Sequence, residues 1–262
     1  MSDHMLYEVR DGAAWVTLNR PDDLNAMDQQ IIDGYAKVIA RAEADPDVKV
    51  VVFTGAGRAF SAGADLKYVL SFIGEGDVAK TRQFMNGAYK AFDAVGRCSK
   101  PTIAAVNGVT AAGGVELLLA CDIAIAARSA KIGDAHINFG LLPGGGGSIL
   151  LPRKIGETRA RYLLMTGELL PAETMAEWGL LVDVVDDDQL IPEVEKIVSR
   201  MAAKSPLAMR HMKSLIDNGL DMPRDRALQL EASFWEAYCQ SNDVAEGLKA
   251  FSAKRTPTYT GT

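Results

Sequence analysis

Strand and helix patterns alternate along the first half of the chain, and this alternation constrains the fold more than any other feature. The run at 48–54, VKVVVFT, is short and β-branched, so it predicts a buried strand, and a glycine turn ends it. Apolar residues at helical spacing predict one helix that ends near Ala44 and another over 78–95. Further buried strands are predicted over 102–106 and 122–127. This repetition predicts an α/β domain built from crossover units.

Turn and cap residues mark the first elements of the chain. Asp11-Gly12 separates strand-like runs at 6–10 and 13–18, and this dipeptide is the strongest short signal for a β-hairpin. Either Asn25 or Asp28 can cap the first helix, because both side chains can accept a hydrogen bond from its free N–H groups. The sequence therefore predicts a hairpin that leads into the first crossover helix.

The pattern changes after about Glu157, where strand signals nearly vanish. Apolar residues then recur at i, i+3 and i+4, which predicts helices over four segments, at 172–178, 187–203, 206–217 and 225–239. We therefore divide the chain into an α/β core at 1–200 and a helical C-terminal region at 201–262.

Charge and hydropathy exclude several classes of partner. The 262 residues carry a net charge of −6, and their 28 lysines and arginines are scattered, so no basic stripe is available for nucleic acid or an acidic membrane surface. No apolar run approaches the roughly 20 residues of a spanning helix. The first residues show neither a signal h-region nor an Arg-rich presequence. We expect cytoplasmic residence, with neither nucleic acid nor membrane as a partner.

Cysteine and histidine usage disfavours disulfides and metal sites. The three cysteines, at 98, 121 and 239, form no CxxC pair, and so sparse a set fits a reducing compartment. The three histidines, at 4, 136 and 211, lack clustered metal-ligand spacing. We expect no transition-metal site.

Three small-residue turns do not fit common nucleotide or nucleophile motifs. Phe60 stands where GxGxxG needs its third glycine, and no lysine follows Gly144–Gly147 as a GxxxxGK[ST] loop requires. Ser61 lacks the first glycine of GxSxG. Neither a nucleotide loop nor a nucleophile elbow is therefore expected.

Two other turns of small residues, 62–65 and 111–114, each follow a predicted buried strand and precede a helix. Small side chains leave the backbone N–H groups unobstructed, and a helix N-terminus adds free donors and partial positive charge. Two such turns that face each other could hold the oxyanion of an acyl group without a metal. The alternative is that the small residues only allow a helix to pack closely on a strand.

Glu116 lies in the first turn of the helix that Gly113 opens, among apolar neighbours. Burial would raise the pKa of this carboxyl towards neutrality, where it could exchange protons with a substrate. The alternative is a capping glutamate whose carboxylate is satisfied by backbone N–H groups. Both interpretations remain open from the residues alone.

Motifs along nearly the whole chain resemble the enoyl-CoA hydratase/isomerase (crotonase) superfamily. Each motif is weak alone, and their order and spacing carry the resemblance. In chain order they are LNRP (18–21), NA (25–26), AFSAGADL (59–66), KPTIAAVNG (100–108), GGVEL (113–117), CDI (121–123), GLLPG (140–144) and AFSAKR (250–255).

The resemblance implies a spiral of ββα units with a helical C-terminal trimerisation region, assembled as trimers or dimers of trimers. It also implies an acyl-CoA thioester as the substrate, with no separate cofactor because CoA is part of that substrate. The family's two oxyanion donors fall on Ala64 and Gly113. Its CoA-binding positions fall on Arg58, Ala62, Asp65, Leu66, Lys67, Phe251 and Lys254, of which the last two reach the CoA of a neighbouring subunit. For the basic residues, solvated surface charge is the alternative.

One departure from the family pattern bears on the reaction. The family places one acid/base glutamate in its GGxE turn, matched by Glu116, and a second one twenty residues later, where this chain has His136. Imidazole can exchange protons near neutral pH, and Asp134 could lie on the same side of an extended segment and orient it. The alternative is that His136 lines the pocket and transfers no proton.

Hydration or dehydration of a 2-enoyl-CoA, with Glu116 as the principal acid/base, is the function that these residues favour. Double-bond isomerases of the family rely mainly on the second glutamate. Gly144 stands where dienoyl-CoA isomerases and hydroxyacyl-CoA hydrolases carry an aspartate, so these activities are disfavoured. The open alternatives are C–C bond hydrolysis or retro-Claisen cleavage with His136 activating water, and a non-catalytic acyl-CoA-binding homologue.

Overall fold

The computed structural model describes residues 3–262, which form ten strands and eleven α-helices. The strands are β1 Met5–Arg10, β2 Ala13–Leu18, β3 Val50–Gly55, β4 Ala59–Ser61, β5 Thr102–Val106, β6 Val109–Ala111, β7 Ile123–Ala127, β8 Lys131–Gly133, β9 Leu170–Pro171 and β10 Asp183–Val185. The helices are α1 Gln29–Ala44, α2 Leu66–Ile73, α3 Val78–Gly96, α4 Gly113–Ala120, α5 Gly147–Ile155, α6 Glu157–Thr166, α7 Ala172–Glu177, α8 Leu190–Ala202, α9 Pro206–Gly219, α10 Arg224–Tyr238 and α11 Asn242–Ser252.

The strands form two sheets, and the chain alternates between them. The six-stranded sheet has the order β1-β2-β3-β5-β7-β10, antiparallel in its first pair and parallel elsewhere. The four-stranded sheet has the order β4-β6-β8-β9. Each of the pairs β3/β4, β5/β6 and β7/β8 places its first strand in the large sheet and its second in the small one. This is the ββα spiral that the sequence resemblance implied.

The hairpin and the first helix form as predicted. Met5–Arg10 and Ala13–Leu18 pair across the Asp11-Gly12 turn. The Asp28 side chain caps α1 by accepting a hydrogen bond from the backbone N–H of Ile31 at 3.0 Å. Asn25 is not the cap. It is buried at a positive φ of 55°, and its side chain donates to the carbonyl of Ala59 at 2.7 Å.

Both faces of the large sheet are buried, which explains the β-branched runs of its central strands. One face packs against α1, α3 and α4 in the main hydrophobic core. The opposite face packs against α8 through the apolar side chains of Leu190, Val194 and Val198. Helices thus cover both faces of the large sheet. In the small sheet β4, β6 and β8 are parallel, so their carboxyl ends lie at one edge.

The C-terminal region is helical, as predicted, and it packs less tightly than the core. Neither α9 nor α10 contributes a buried residue. Lys213 of α9 reaches back to Asp122 of the core with an Nζ–Oδ2 distance of 2.9 Å. The boundary at residue 200 and the trimerisation role of this region stay predictions. Within residues 3–262 no helix has the length and apolar character needed to cross a bilayer.

Candidate active site

Two strand-to-helix turns lie side by side at one edge of the small sheet. β4 and β6 are parallel neighbours, with Ser61 paired to Thr110, so the turns that follow them leave the sheet together. A Cβ atom on Gly63 would lie 2.9 Å from the nitrogen of Gly113 and 2.8 Å from Cβ of Ala112. The residue also has a φ of +92°, so only glycine allows this close approach.

Each turn presents one backbone donor without a partner. Within residues 3–262 the N–H groups of Ala64 and Gly113 donate no hydrogen bond to another backbone group. Gly113 is the first residue of α4, where no intrahelical acceptor exists for its N–H group. Ala112, just before it, has a φ of +49°, which is uncommon for a residue with a side chain. The two donors lie on backbones in close contact, which is the arrangement that an oxyanion hole needs.

A loop preceding α1 holds the first of these turns. The guanidinium of Arg20 donates to Asp65 Oδ2 at 2.9 Å and to the carbonyl of Ala26 at 2.7 Å. The backbone of Met27 bonds on both sides of Ala64, since Met27 N–H donates to the Gly63 carbonyl at 2.7 Å and its carbonyl accepts from Asp65 N–H at 3.0 Å. The peptide that carries the Ala64 donor is therefore fixed by long-range contacts.

Glu116 lies inside the core with its carboxylate at the start of another helix. The residue is 3% exposed. Its Oε1 accepts from the N–H of Gly145 at 2.6 Å and from the N–H of Gly147 at 3.1 Å. Gly147 is the first residue of α5, so the positive end of that helix faces the carboxylate. No residue in 3–262 donates a hydrogen bond to Oε2, which leaves this oxygen available to a ligand.

The surroundings of Glu116 favour proton exchange. Burial raises the pKa of its carboxyl, and the charge of Asp134 acts in the same direction. The N–H groups of Gly147 and Gly145 and the charge of His136 oppose the shift without cancelling it, so the pKa lies above its ordinary value. The backbone donors belong to a distant loop and not to α4. The carboxylate is thus satisfied by backbone N–H groups, as the capping interpretation expected, although these groups lie outside the first turn of α4.

His136 begins a short 3-10 turn, so the extended conformation predicted for this segment is wrong. The predicted contact with Asp134 nevertheless forms, because the turn folds the His136 side chain back over the preceding residues. The distance from His136 Nδ1 to Asp134 Oδ1 is 2.9 Å, and the same oxygen accepts from the His136 backbone N–H at 3.3 Å. Asp134 is 1% exposed, and its Oδ2 is buried without a hydrogen-bond partner.

The two acidic side chains flank the same glycine. A Cβ on Gly147 would lie 3.1 Å from Asp134 Oδ2 and 3.3 Å from Glu116 Oε1. Burial lowers the pKa of His136, but its hydrogen bond to Asp134 and the charges of Asp134 and Glu116 outweigh burial and raise that pKa above its ordinary value. The candidate site thus combines a carboxyl, Glu116, and an imidazole, His136, whose pKa values are both raised.

The predicted CoA-binding residues lie in three places. Ala62 and Asp65 are half-buried in the first turn, and the Asp65 carboxylate already accepts from Arg20 and from the first N–H groups of α2. Leu66, Lys67 and Arg58 are exposed near that turn along the chain. Phe251 is 84% exposed at the end of α11, and Lys254 follows it with a φ of +52°. Both residues of the C-terminal pair are therefore exposed within the described part of the chain.

Sequence reasoning missed the loop that holds Glu116. The run Gly144–Gly147 does not fit a nucleotide loop, and its glycines have another cause. A Cβ on Gly145 would collide with the ring of Phe92, and one on Gly144 with the side chain of Met85. A run of four glycines just before a predicted helix was the available signal that backbone donors approach a buried group there.

Known proteins resemble this chain along its whole length. Residues 8–262 match the enoyl-CoA hydratase/isomerase family. A crotonyl-CoA hydratase of Syntrophomonas wolfei is 33% identical over 258 residues, which cover 98% of each chain. The 1,2-epoxyphenylacetyl-CoA isomerase of Escherichia coli is 36% identical over 264 residues and the whole of both chains. The crystal structure of an enoyl-CoA hydratase from Bacillus anthracis matches with a TM-score of 0.94 and 33% identity, covering 99% of this chain and 100% of that one.

Proposed function

The chain belongs to the enoyl-CoA hydratase/isomerase family, and from this premise we propose that it hydrates the double bond of a 2-enoyl-CoA thioester, a step of fatty acid metabolism. One observation carries the proposal. Glu116 is buried, two backbone donors hold its Oε1, and no donor among residues 3–262 bonds to its Oε2. It lies on the helix that begins with Gly113, whose N–H has no acceptor within the same residues. The crotonyl-CoA hydratase relative supports the same reaction class.

In the proposed reaction the thioester oxygen accepts hydrogen bonds from Ala64 and Gly113. These donors stabilise the negative charge that develops on the oxygen as water adds to Cβ. Oε2 of Glu116 takes a proton from the water as the C–O bond forms, and the π electrons move towards the thioester. Cα then gains a proton, from His136 or from the carboxyl of Glu116. The product is a 3-hydroxyacyl-CoA, and no separate cofactor takes part.

We propose that CoA is bound by Arg58, Ala62, Asp65, Leu66 and Lys67 of one chain and by Phe251 and Lys254 of a neighbour. The exposure of Phe251 supports this assignment, because an apolar side chain that is 84% exposed is available to pack against another chain or a ligand. The protein would then be a cytoplasmic homotrimer or homohexamer. Sedimentation equilibrium should give three or six chains of 28.1 kDa. A stable monomer with undiminished CoA affinity would contradict the assignment.

The test of the function is a spectroscopic assay of 2-enoyl-CoA thioesters of increasing acyl length. Hydration removes the absorbance of the conjugated thioester, and mass spectrometry should find a product heavier by one water. Glu177→Gln, which changes an exposed glutamate of α7, serves as the matched control for changes at Glu116. Absence of turnover across the whole panel, with CoA binding retained, would instead support a non-catalytic binding protein.

The Asp134–His136 contact favours one second candidate, cleavage of a C–C bond in a β-ketoacyl-CoA. In that reaction neutral His136 would take a proton from the attacking water, and Asp134 would stabilise the resulting imidazolium. The two candidates differ in substrate, so a panel of β-ketoacyl-CoA thioesters separates them. Release of a shortened acyl product would identify cleavage. Isomerisation, which the Escherichia coli relative's name records, would change the absorbance without adding water.

A further inference from the structure

The Asp134–His136 pair is more buried than a surface ion pair. Asp134 is 1% exposed, and the His136 side chain is 11% exposed. One carboxylate oxygen accepts from both the ring and the backbone of His136, at 2.9 and 3.3 Å. Two contacts to the same residue restrict the rotation of the imidazole ring as well as its position.

We infer that Asp134 is a positioning residue that keeps a proton on Nδ1 of His136 and leaves Nε2 as the nitrogen that serves the acyl group. This inference rests on the proposed hydration at the same site. It goes beyond that proposal by assigning a role to a residue that does not itself touch the substrate.

Asp134 fixes the tautomer of the His136 ring. Which imidazole nitrogen carries the proton depends on the hydrogen bond that the other nitrogen makes. A carboxylate can only accept, so the nitrogen that faces Asp134 Oδ1 must donate. Among residues 3–262 no group bonds to Nε2 of His136. That nitrogen is therefore the one available to an incoming ligand.

His136 also compensates the buried charge of Asp134. A buried carboxylate is stable only when it is paired with a cation or accepts enough hydrogen bonds. Asp134 accepts only from His136 in the described part of the chain, and its Oδ2 has no partner. The imidazolium form of His136 therefore compensates the negative charge of Asp134, which is buried away from water.

The proton transfers of hydration also assign a role to His136. Hydration requires one group that takes a proton from water and one that gives a proton to Cα. Glu116, with its free Oε2, suits the first role, and the Nε2–H of protonated His136 suits the second. The proton on Glu116 then returns to His136 before the next turnover. Three titratable groups face one another here, namely Glu116 from α4, Asp134 after β8 and His136 in the following turn.

The direct test is nitrogen-15 NMR of the full-length protein labelled at histidine, with His136→Ala used to assign the signal. We expect His136 to retain its proton on Nδ1 at high pH. We also expect the midpoint of its titration in Asp134→Asn to fall by about one pH unit or more, because the amide keeps an acceptor but loses the charge. A neutral form protonated on Nε2, or an unchanged midpoint in Asp134→Asn, would overturn the inference.

A matched control uses the second Asp–His contact of the chain. His4 Nδ1 lies 2.8 Å from Asp28 Oδ2, near the start of α1. Asp28→Asn keeps the capping function, since asparagine is an equally good N-cap. This variant should leave the His136 titration in place. A shift of His136 in Asp28→Asn would show that any lost carboxylate has the same effect, and would count against a specific role for Asp134.

Kinetics provide the readout that a merely structural role would not change. Asp134→Asn should lower kcat roughly tenfold with little change in KM, and should move the alkaline limb of the rate profile to lower pH. The same substitution in a His136→Ala background should cost little more. A full additional loss there would show that Asp134 only supports the fold. Because NMR needs no substrate, failure of hydration and failure of the positioning role are distinguishable.

Discussion

Glu116 and His136 lie in two regions of the candidate site that hold their titratable groups in different ways. Glu116 belongs to a regular helix, and its carboxylate is fixed by backbone N–H groups at the start of α5. His136 belongs to a short turn, and its ring is fixed by one side chain, Asp134. Backbone donors survive most substitutions, whereas a side-chain partner does not. The first region therefore depends on the fold, and the second depends on a single neighbouring residue.

The largest effect is expected at Glu116. Glu116→Gln keeps the volume and one acceptor oxygen for the N–H groups of Gly145 and Gly147, but it cannot take a proton from water. Turnover of a 2-enoyl-CoA should fall by ~10²–10⁴, the range for a lost general acid/base, with little change in CoA affinity. Steady-state kinetics and titration with CoA measure the two quantities. Unchanged turnover in Glu116→Gln would contradict the hydratase proposal.

A smaller loss of turnover is expected when one of the two proposed oxyanion donors is removed. Gly113→Pro removes one N–H group at the first position of α4, where proline is otherwise accepted. Turnover should fall by roughly 10²–10³. Gly113→Ala is the matched control, since it keeps the donor and its Cβ would lie 3.4 Å from Gly63 Cα. Circular dichroism must show that both variants fold, and equal turnover in the two would argue against the oxyanion role.

The loss at His136 should be smaller again. In His136→Ala the proton that Glu116 has taken from water can still be delivered to Cα, so we expect roughly a tenfold loss. His136→Glu should restore or raise the hydration of simple enoyl thioesters. For cleavage of a β-ketoacyl-CoA the order reverses, because His136 must then be neutral and its protonation imposes an acidic limb on the rate. A His136→Ala loss that exceeds the loss in Glu116→Gln would favour that second reaction.

The smallest expected effects concern stability: Glu116 destabilises and His136 stabilises the fold, but stability falls with rising pH for both because both pKa values are raised. The raised pKa of Glu116 means that the folded state disfavours its ionised form, so stability falls as pH rises from about 4.5 through that pKa. Glu116→Gln removes this cost, and its Tm should exceed that of the parent at neutral pH but not in acid. The parent's own curve from pH 4 to 8 provides the reference. A lower Tm for the glutamine variant at neutral pH would contradict the burial argument.

His136 stabilises the fold instead, although its contribution also falls as pH rises. Its pKa is raised in the folded state, so its stabilising contribution is complete below about pH 6.5 and is lost as pH rises through the folded pKa. His136→Ala should therefore lose more Tm in mild acid than in mild base. Thermal unfolding monitored by circular dichroism across that range measures the difference. A penalty that is constant with pH would indicate that the imidazole is held for packing alone.

Local patterns in the sequence were sufficient to predict most helices and strands of the fold. The hairpin at Asp11-Gly12, the cap at Asp28 and the buried strand that begins at Val50 depend on residues close together in the chain. Glu116 was likewise assigned correctly to the first turn of a helix. Turn, cap and periodicity signals act over a few residues, and for this reason a single sequence contains them.

The tertiary structure alone decided how the site is held. The donors to Glu116 lie about thirty positions further along the chain, at Gly145 and Gly147, and the segment at His136 forms a turn that no local periodicity indicated. These contacts depend on the path of the backbone between α4 and α5, which the packing of two sheets and their covering helices sets. The residues themselves therefore sufficed to nominate Glu116 and His136 as candidate proton-exchanging groups, whereas the packing of distant segments set their partners, their burial and hence their pKa values.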